Sequence, residues 1–415
     1  MEEIVRHLTP LLQEVTGYIY PNEIELHWSL LIVIYPYITG LVAGAFILAS
    51  LVKVFNVKEL QPVYRIALLT ALAFMLVATL PLLAHLGHPE KSFEIFLTPN
   101  MTSAMAMFGF VYAWYLMAVL FLEIWFDYRK DLVLWANAST GIKRWFYRLI
   151  SLYSNDISDK AVAFDNKAEK VVTILGIPSA FLLHGYVGFI FGSVKANPWW
   201  SSVLMPIVFL FSAIVSGIAL VLLIYMIITP FRSKQLDKAC IDKLTSFLFY
   251  AMIVDFSLEI LDFIHRIYES EESIHILAQL VSGKLFFSLI VVQVLIGMVI
   301  PLLFIAVTKL FKTPFELRKI LYFFSAILIQ VGIFATRWNV VIGGQLFSKS
   351  FRGLTVYKMT LLGIEGLLVS IAIMLLPLVI LYILFNILPP WREAHGTLSK
   401  RHIVHRSFAR RLSRH

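Results

Sequence analysis

WSSVLMPIVFLFSAIVSGIALVLLIYMII, from Trp200 to Ile228, runs for 29 residues without one charged side chain. A bilayer hydrocarbon core of ~30 Å is crossed by about 20 apolar residues in a helix, so this stretch is long enough to span a membrane. Eight further stretches read the same way, at roughly 26–54, 63–86, 102–127, 170–194, 243–266, 276–309, 316–338 and 355–386. The chain is 59% hydrophobic and only 15% charged, with a mean hydropathy of +0.81. A water-soluble domain of 415 residues has no core large enough to hide that much apolar surface. The solvent is therefore lipid, where every backbone N–H and C=O must be paired within its own segment or barrel. These runs are too long for barrel strands. The expected fold is an all-α integral membrane protein, a bundle of about nine transmembrane helices, with run 276–309 taken as one helix kinked at Pro301.

Nine crossings put the two ends on opposite sides, and the basic residues give the direction, because Lys and Arg in short loops stay cytoplasmic. With the N-terminus outside, 26 of the 35 Lys and Arg fall on inner segments. The nine outer ones are Arg6, Lys91, Lys195, Arg266, Lys284, Arg337, Lys349, Arg352 and Lys358, so no basic residue is expected within the bundle. The net charge of +9 is mostly this orientation signal. Nucleic acid is not an expected partner; the basic tail fits anionic lipid headgroups instead. The chain divides into an outer N-terminal segment 1–25, in which 4–18 suits an amphipathic surface helix, a transmembrane domain 26–388 and a cytoplasmic tail 389–415. An inner loop at 128–169 mixes Trp145, Phe146 and Tyr147 with Lys143, Arg144 and Arg148, as an interfacial helix does. The start of the chain lacks the pattern of a cleaved signal, so the first crossing is expected to serve as a retained insertion signal. Cys240 is the single cysteine, which excludes an intrachain disulfide or a Cys-ligated cluster held by this chain alone.

Ionisable residues within a bilayer are costly, and they mark function by default. Asp255, Glu259, Asp262 and Arg266 lie at offsets 0, 4, 7 and 11 in run 243–266, within about 60° of one helix face. Such a stripe either passes protons or serves as interhelical hydrogen-bonding glue. Glu365, in the last run, is expected to face it across the bundle. Glu123 and Asp127, at an inner helix end, fit an interfacial role. A second group gathers at the outer helix ends: His27, Trp28 and Tyr35, then His85 and His88, then His184 and Tyr186. A quinone headgroup needs hydrogen-bond donors at its carbonyls and a proton acceptor when the quinol is oxidised, and these side chains supply both. The same residue types also make an aromatic belt. His85 and His184 would allow a single b-haem, although no second His pair is displaced along the same helices.

Several local motifs resemble one family. They are Trp28 to Gly44 (WSLLIVIYPYITGLVAG), His85-Leu-Gly-His-Pro-Glu90, His184-Gly-Tyr-Val-Gly188 leading to Asn197-Pro-Trp-Trp200, and Met205-Pro206 followed by Ser212 to Gly217. This ordered set, over nearly the whole chain, is similar to the polysulfide reductase NrfD family. Arg337-Trp-Asn339 and Gly343-Gly-Gln345 before an extra helix resemble its larger branch, the DsrP-like and HybB-like subunits of sulfite reductase-linked and uptake hydrogenase complexes. The resemblance implies a subunit without haem or iron–sulfur cluster of its own. Such a subunit exchanges electrons between menaquinone and an extracytoplasmic ferredoxin-like iron–sulfur subunit, within a complex holding further membrane and cytoplasmic subunits, here of sulfur or sulfite metabolism. It also implies that Tyr186 contacts the quinone, with His27, Trp28 and Tyr35 completing the pocket and His85 or His184 relaying protons. The family's histidine on the first helix falls near Tyr35 here, a departure that puts the proton acceptor in question. A transport or proton-translocating module built on Asp255, Glu259, Asp262 and Glu365, or a haem-bearing anchor, are the competing functions.

Overall fold

The computed structural model describes residues 9, 12–232, 234–269 and 273–391. Residues 4–8, 10 and 11 of segment 4–18 and, from position 392 on, the basic tail lie outside the described residues. The longer helices are α1 (Leu30–Lys53), α2 (Tyr64–Val77), α3 (Leu80–His85), α4 (Ala104–Ala113), α5 (Leu122–Ala138), α6 (Gly141–Ile150) and α7 (Asp159–Gly192). They continue with α8 (Met205–Phe231), α9 (Lys238–Glu269), α10 (Ile274–Ser282), α11 (Ile300–Leu310), α12 (Phe315–Val341) and α13 (Leu367–Ile387). Two π-helical stretches, Trp114–Phe121 and Phe286–Val299, join α4 to α5 and lead into α11.

Among the described residues, eight helices are long and apolar enough to cross a membrane. The acid-bearing α9 is not one of the eight, yet its 32 residues make a helix of ~48 Å, longer than a bilayer core. The all-α membrane fold is as expected. Large apolar side chains on the outer surface, such as Leu182 and Phe189 of α7 and Leu375 and Val379 of α13, are half or more exposed, which only a lipid solvent tolerates on this scale.

Helix α1 is the axis of the bundle. Nearly all its side chains are buried, and it packs against α2, α7, α8 and α12. Its crossing with α8 is a backbone contact: a Cβ on Gly44 would lie 2.0 Å from the Ala213 carbonyl oxygen, and one on Gly217 would lie 2.5 Å from Ala45 N. Close approach at small residues of this kind is how membrane helices gain packing energy where lipid removes the hydrophobic drive. Two short strands, β1 (Thr16–Tyr18) and β2 (Arg352–Leu354), pair antiparallel and tie the chain's start to the loop before α13.

The end of the bundle holding Lys53 is braced by ion pairs and charged hydrogen bonds. Arg65 Nε lies 2.6 Å from Asp127, Arg129 Nη2 lies 2.6 Å from Asp165, and Lys53 pairs with Glu169. Glu123, expected at an interface, is wholly enclosed and accepts from Thr173 at 2.9 Å. The expected loop 128–169 is largely helical: α5 runs through to Ala138, α6 carries the Trp145–Tyr147 motif, and α7 begins at Asp159, where Ser158 caps it by accepting from Ala161 N. Run 276–309 is not one helix kinked at Pro301. It breaks at Gly283, and Pro301 lies where the π-helical stretch Phe286–Val299 passes without interruption into α11.

Candidate functional site

Inside the opposite end of the bundle, which holds Trp28, lies a closed polar core. His184 of α7 is fully buried, eight residues or ~12 Å along the helix from its end at Gly192. Its Nδ1 is 3.2 Å from Thr39 Oγ1 of α1, and its Nε2 is 3.2 Å from Arg337 Nη2 of α12. A guanidinium has no lone pair, so Nε2 must be the acceptor and Nδ1–H the donor. The Thr39 hydroxyl passes its own hydrogen to the Tyr35 carbonyl at 3.1 Å. Gly40 makes room for the imidazole, since a Cβ there would stand 3.1 Å from His184 Cε1. Phe209 stacks on the ring from α8. His184 is therefore an internal link with both nitrogens engaged, not a residue of an outer helix end.

Arg337 overturns a second expectation. Counted as an outer loop charge, it is instead completely enclosed, donating to Ser212 Oγ at 2.6 Å and lying 4.1 Å over the Phe209 ring. It interacts electrostatically with Asp255, Glu259 and Tyr37. The two groups read separately from sequence, the helix stripe and the histidine cluster, thus share the field of one buried cation, which bonds to the histidine.

The stripe on α9 divides in two. Asp255 and Glu259 face the core side, and Gln293 donates to Glu259 Oε2 at 2.8 Å. Asn339 in turn donates to Gln293 Oε1 at 2.7 Å. Nearer the Trp28 end, Asp262 is held by Arg266 and by the Ser202 hydroxyl, while Arg266 also donates to the Trp199 carbonyl at 2.7 Å. Arg266 then lines a cavity of about 1040 Å³ that opens at this end, together with His27, Trp28, Asn197, Glu269 and Gln345. Glu365 does not belong to this path. It lies in the loop before α13, is 44% exposed, and pairs at 3.0 Å with Nδ1 of His85. The register assumed for the last run fails because positions 358–366 are not helical.

The predicted headgroup residues also separate. Tyr35 of α1 is buried and interacts electrostatically with Tyr186 of α7 and with Tyr112 of α4, a residue the sequence reading missed. Tyr186 is half-buried, its ring stacked on Phe189 at 6.1 Å, so it looks away from His184 as their ~200° separation on one helix requires. Trp28 stacks on Trp200 at 5.3 Å and meets Phe191 edge-on at 6.0 Å. His27 is exposed at the cavity mouth. The pairing of His85 with His184 considered from sequence does not occur, since each engages other partners. Gln293, being uncharged, carried no sequence signal, and Asn339 entered only through the Arg337-Trp-Asn339 motif. Arg337 did carry one: it falls within apolar run 316–338, where a charge marks a site.

Several known proteins are similar to this chain. It is 31% identical to a selenate reductase subunit of Mesobacillus selenatarsenatis, over 76% of this chain and 73% of that one. It is 27% identical to a putative dimethyl sulfoxide reductase membrane subunit of Halobacterium salinarum, over 51% and 46%. It is 24% identical to an Hdr-like menaquinol oxidoreductase integral membrane subunit of Archaeoglobus fulgidus, over 83% and 77%. The family model described as "Polysulphide reductase, NrfD" matches residues 21–349, which takes in the polar core and every helix from α1 to α12. On that match this multi-pass membrane protein belongs to the polysulphide reductase NrfD family.

Proposed function

We propose that the chain is the quinone-reactive, menaquinol-oxidising membrane subunit of a multisubunit oxidoreductase complex. The observation that carries the reading is the convergence of Tyr35, Tyr112 and Tyr186 from three helices beside the lipid-facing side of α7. Two supports stand beside it: the family match and the menaquinol named for the Archaeoglobus relative. A phenol fixes a quinone oxygen while staying protonated near neutral pH. Oxidation of a quinol releases two electrons and two protons, so an electron acceptor and a proton exit must both be near.

In this reading the Trp28 end faces outside the cytoplasm, the N-terminus lies outside, and the large cavity there seats an iron–sulfur subunit that takes the electrons. Asp255 and Glu259, with Asp262 beyond them, conduct protons between the core and that cavity. The terminal reaction is on a chalcogen compound: sulfur or sulfite by resemblance, with selenate and dimethyl sulfoxide named for relatives. The test is Tyr186→Phe, which keeps the ring and removes only the hydroxyl. Loss of one hydrogen bond to a charged or developing-charge partner corresponds to about tenfold slower quinol turnover, with the complex still assembled. Unchanged turnover and unchanged quinone affinity would refute the assignment of Tyr186.

A further inference from the structure

A second cavity, of about 300 Å³, lies on the far side of α8 from Tyr186, between α9, the π-helical stretch Phe286–Val299 and α12. Phe209 stands between it and His184. Its walls are mostly apolar, among them Phe256, Phe263, Leu289 and Met298; its polar side is Glu259, Gln293, Asn339 and Thr336, with the Asp262–Arg266 pair at its edge toward the large cavity. Two lining residues, Ile260 and Ile290, are 44% and 38% exposed on the lipid-facing surface, so the cavity opens sideways into the bilayer. We propose that it is a second headgroup site for an isoprenoid quinone, separate from the tyrosine site.

Three features carry this. The first is size: a cavity of about 150 Å³ takes one benzene ring, so about 300 Å³ suits a two-ring headgroup, with its isoprenoid chain leaving past Ile260 and Ile290. The second is polar chemistry. Glu259 Oε1 has no hydrogen-bond partner among the described residues, and Oε2 is held by Gln293. A carboxyl serves both members of a quinone and quinol pair, accepting from a hydroxyl when ionised and donating to a carbonyl when protonated. The third is positioning. Gln293 is pinned at both ends, by Glu259 and by Asn339, and Asn339 Oδ1 accepts from Ser288 at 2.6 Å. The amide orientations are thereby set, leaving one Gln293 N–H for a ligand. Gln293 projects from a π-helical stretch, a geometry that recurs at functional sites.

The inference rests on the chain being quinone-reactive, and its test separates the two. The full complex in lipid nanodiscs is illuminated with an azido-naphthoquinone, and adducts are mapped by mass spectrometry. Adducts on peptides covering 256–263 or 289–298, displaced by excess unlabelled prenylated naphthoquinone and not by phospholipid, support the site. Gln293→Leu, which removes the amide, and Val294→Phe, which fills the cavity without touching a polar group, should each lower those adducts about tenfold and spare adducts near Tyr186. Adducts confined to the Tyr35 and Tyr186 region, displacement by phospholipid, or cavity adducts that neither variant lowers would overturn it. Adducts nowhere would sink this site and the quinone reading together, whereas adducts at the cavity alone would keep this site and refute Tyr186.

Discussion

Arg337 organises the polar interior because its guanidinium reaches Ser212 and His184 directly and Asp255 and Glu259 through the field. A buried cation loses hydration that only good acceptors and opposite charge replace, and removing one partner of such a set costs about 3–5 kcal/mol. Arg337→Gln should therefore lower the thermal stability of the purified protein markedly, and Arg337→Lys should recover part of it, since Ser212 and His184 both bond to the single nitrogen Nη2, a place an ammonium can fill. Wild-type melting of Arg337→Gln would show the cluster to be energetically idle. Asp255→Asn keeps the shape and removes the ionisable group. If the α9 carboxylates carry protons, quinol turnover should fall about tenfold or more while subunits stay assembled, and full turnover would leave the stripe as structural glue. At this scale the sequence showed residue types well and partners poorly. His184, Tyr186 and the α9 acids were all visible as polar residues in apolar runs. Which way each faces depends on helix rotation about neighbours, and that is set by contacts such as Gly40 against His184 and Phe209 behind it.

Among elements, the α1 to α8 crossing is the least tolerant contact. Gly44 and Gly217 bring two backbones together, and any side chain there meets main-chain atoms that have nowhere to move. Gly217→Leu should prevent stable insertion of the bundle, read as loss of a monodisperse peak in detergent, because overpacking costs about 1–3 kcal/mol even where neighbours are side chains. A monodisperse, quinone-active Gly217→Leu protein would contradict that crossing. The long apolar helices were legible from sequence because lipid leaves the backbone no other way to satisfy its hydrogen bonds. The break at Gly283 was not, since Gly283 and Lys284 sit between two apolar runs of similar composition, and hydropathy averages over such a joint. In loop 128–169 the interfacial helix expected around Trp145–Tyr147 is α6, whereas the extents of α5 and α7 into the loop were less legible. The Arg129–Asp165 pair holds α5 to α7, and Tyr147 of α6 donates to the Ile387 carbonyl at 3.2 Å, contacts between distant residues that no local pattern announces.

For the whole molecule, Arg337 joins α12 to α7 and α8 by hydrogen bonds and acts on the α9 acids through the field, and a cavity of about 1040 Å³ opens at the Trp28 end. Helix α1 leaves from this end and α13 follows the loop that pairs with β1, so the orientation of one helix decides the side of every site. A reporter fused after position 415 should be active only in the cytoplasm, in keeping with the 26 basic residues assigned to inner segments, and extracytoplasmic activity would overturn the nine-helix arrangement and the side assigned to every site. Electron transfer from quinol to a partner cluster is tested most directly by electron paramagnetic resonance of the complex that contains this chain, frozen after addition of a reduced naphthoquinol. The expected result is a partner iron–sulfur signal that develops in the intact complex and is absent when this chain is omitted. A cluster reduced equally well by the quinol without this chain would contradict the quinone-reactive role.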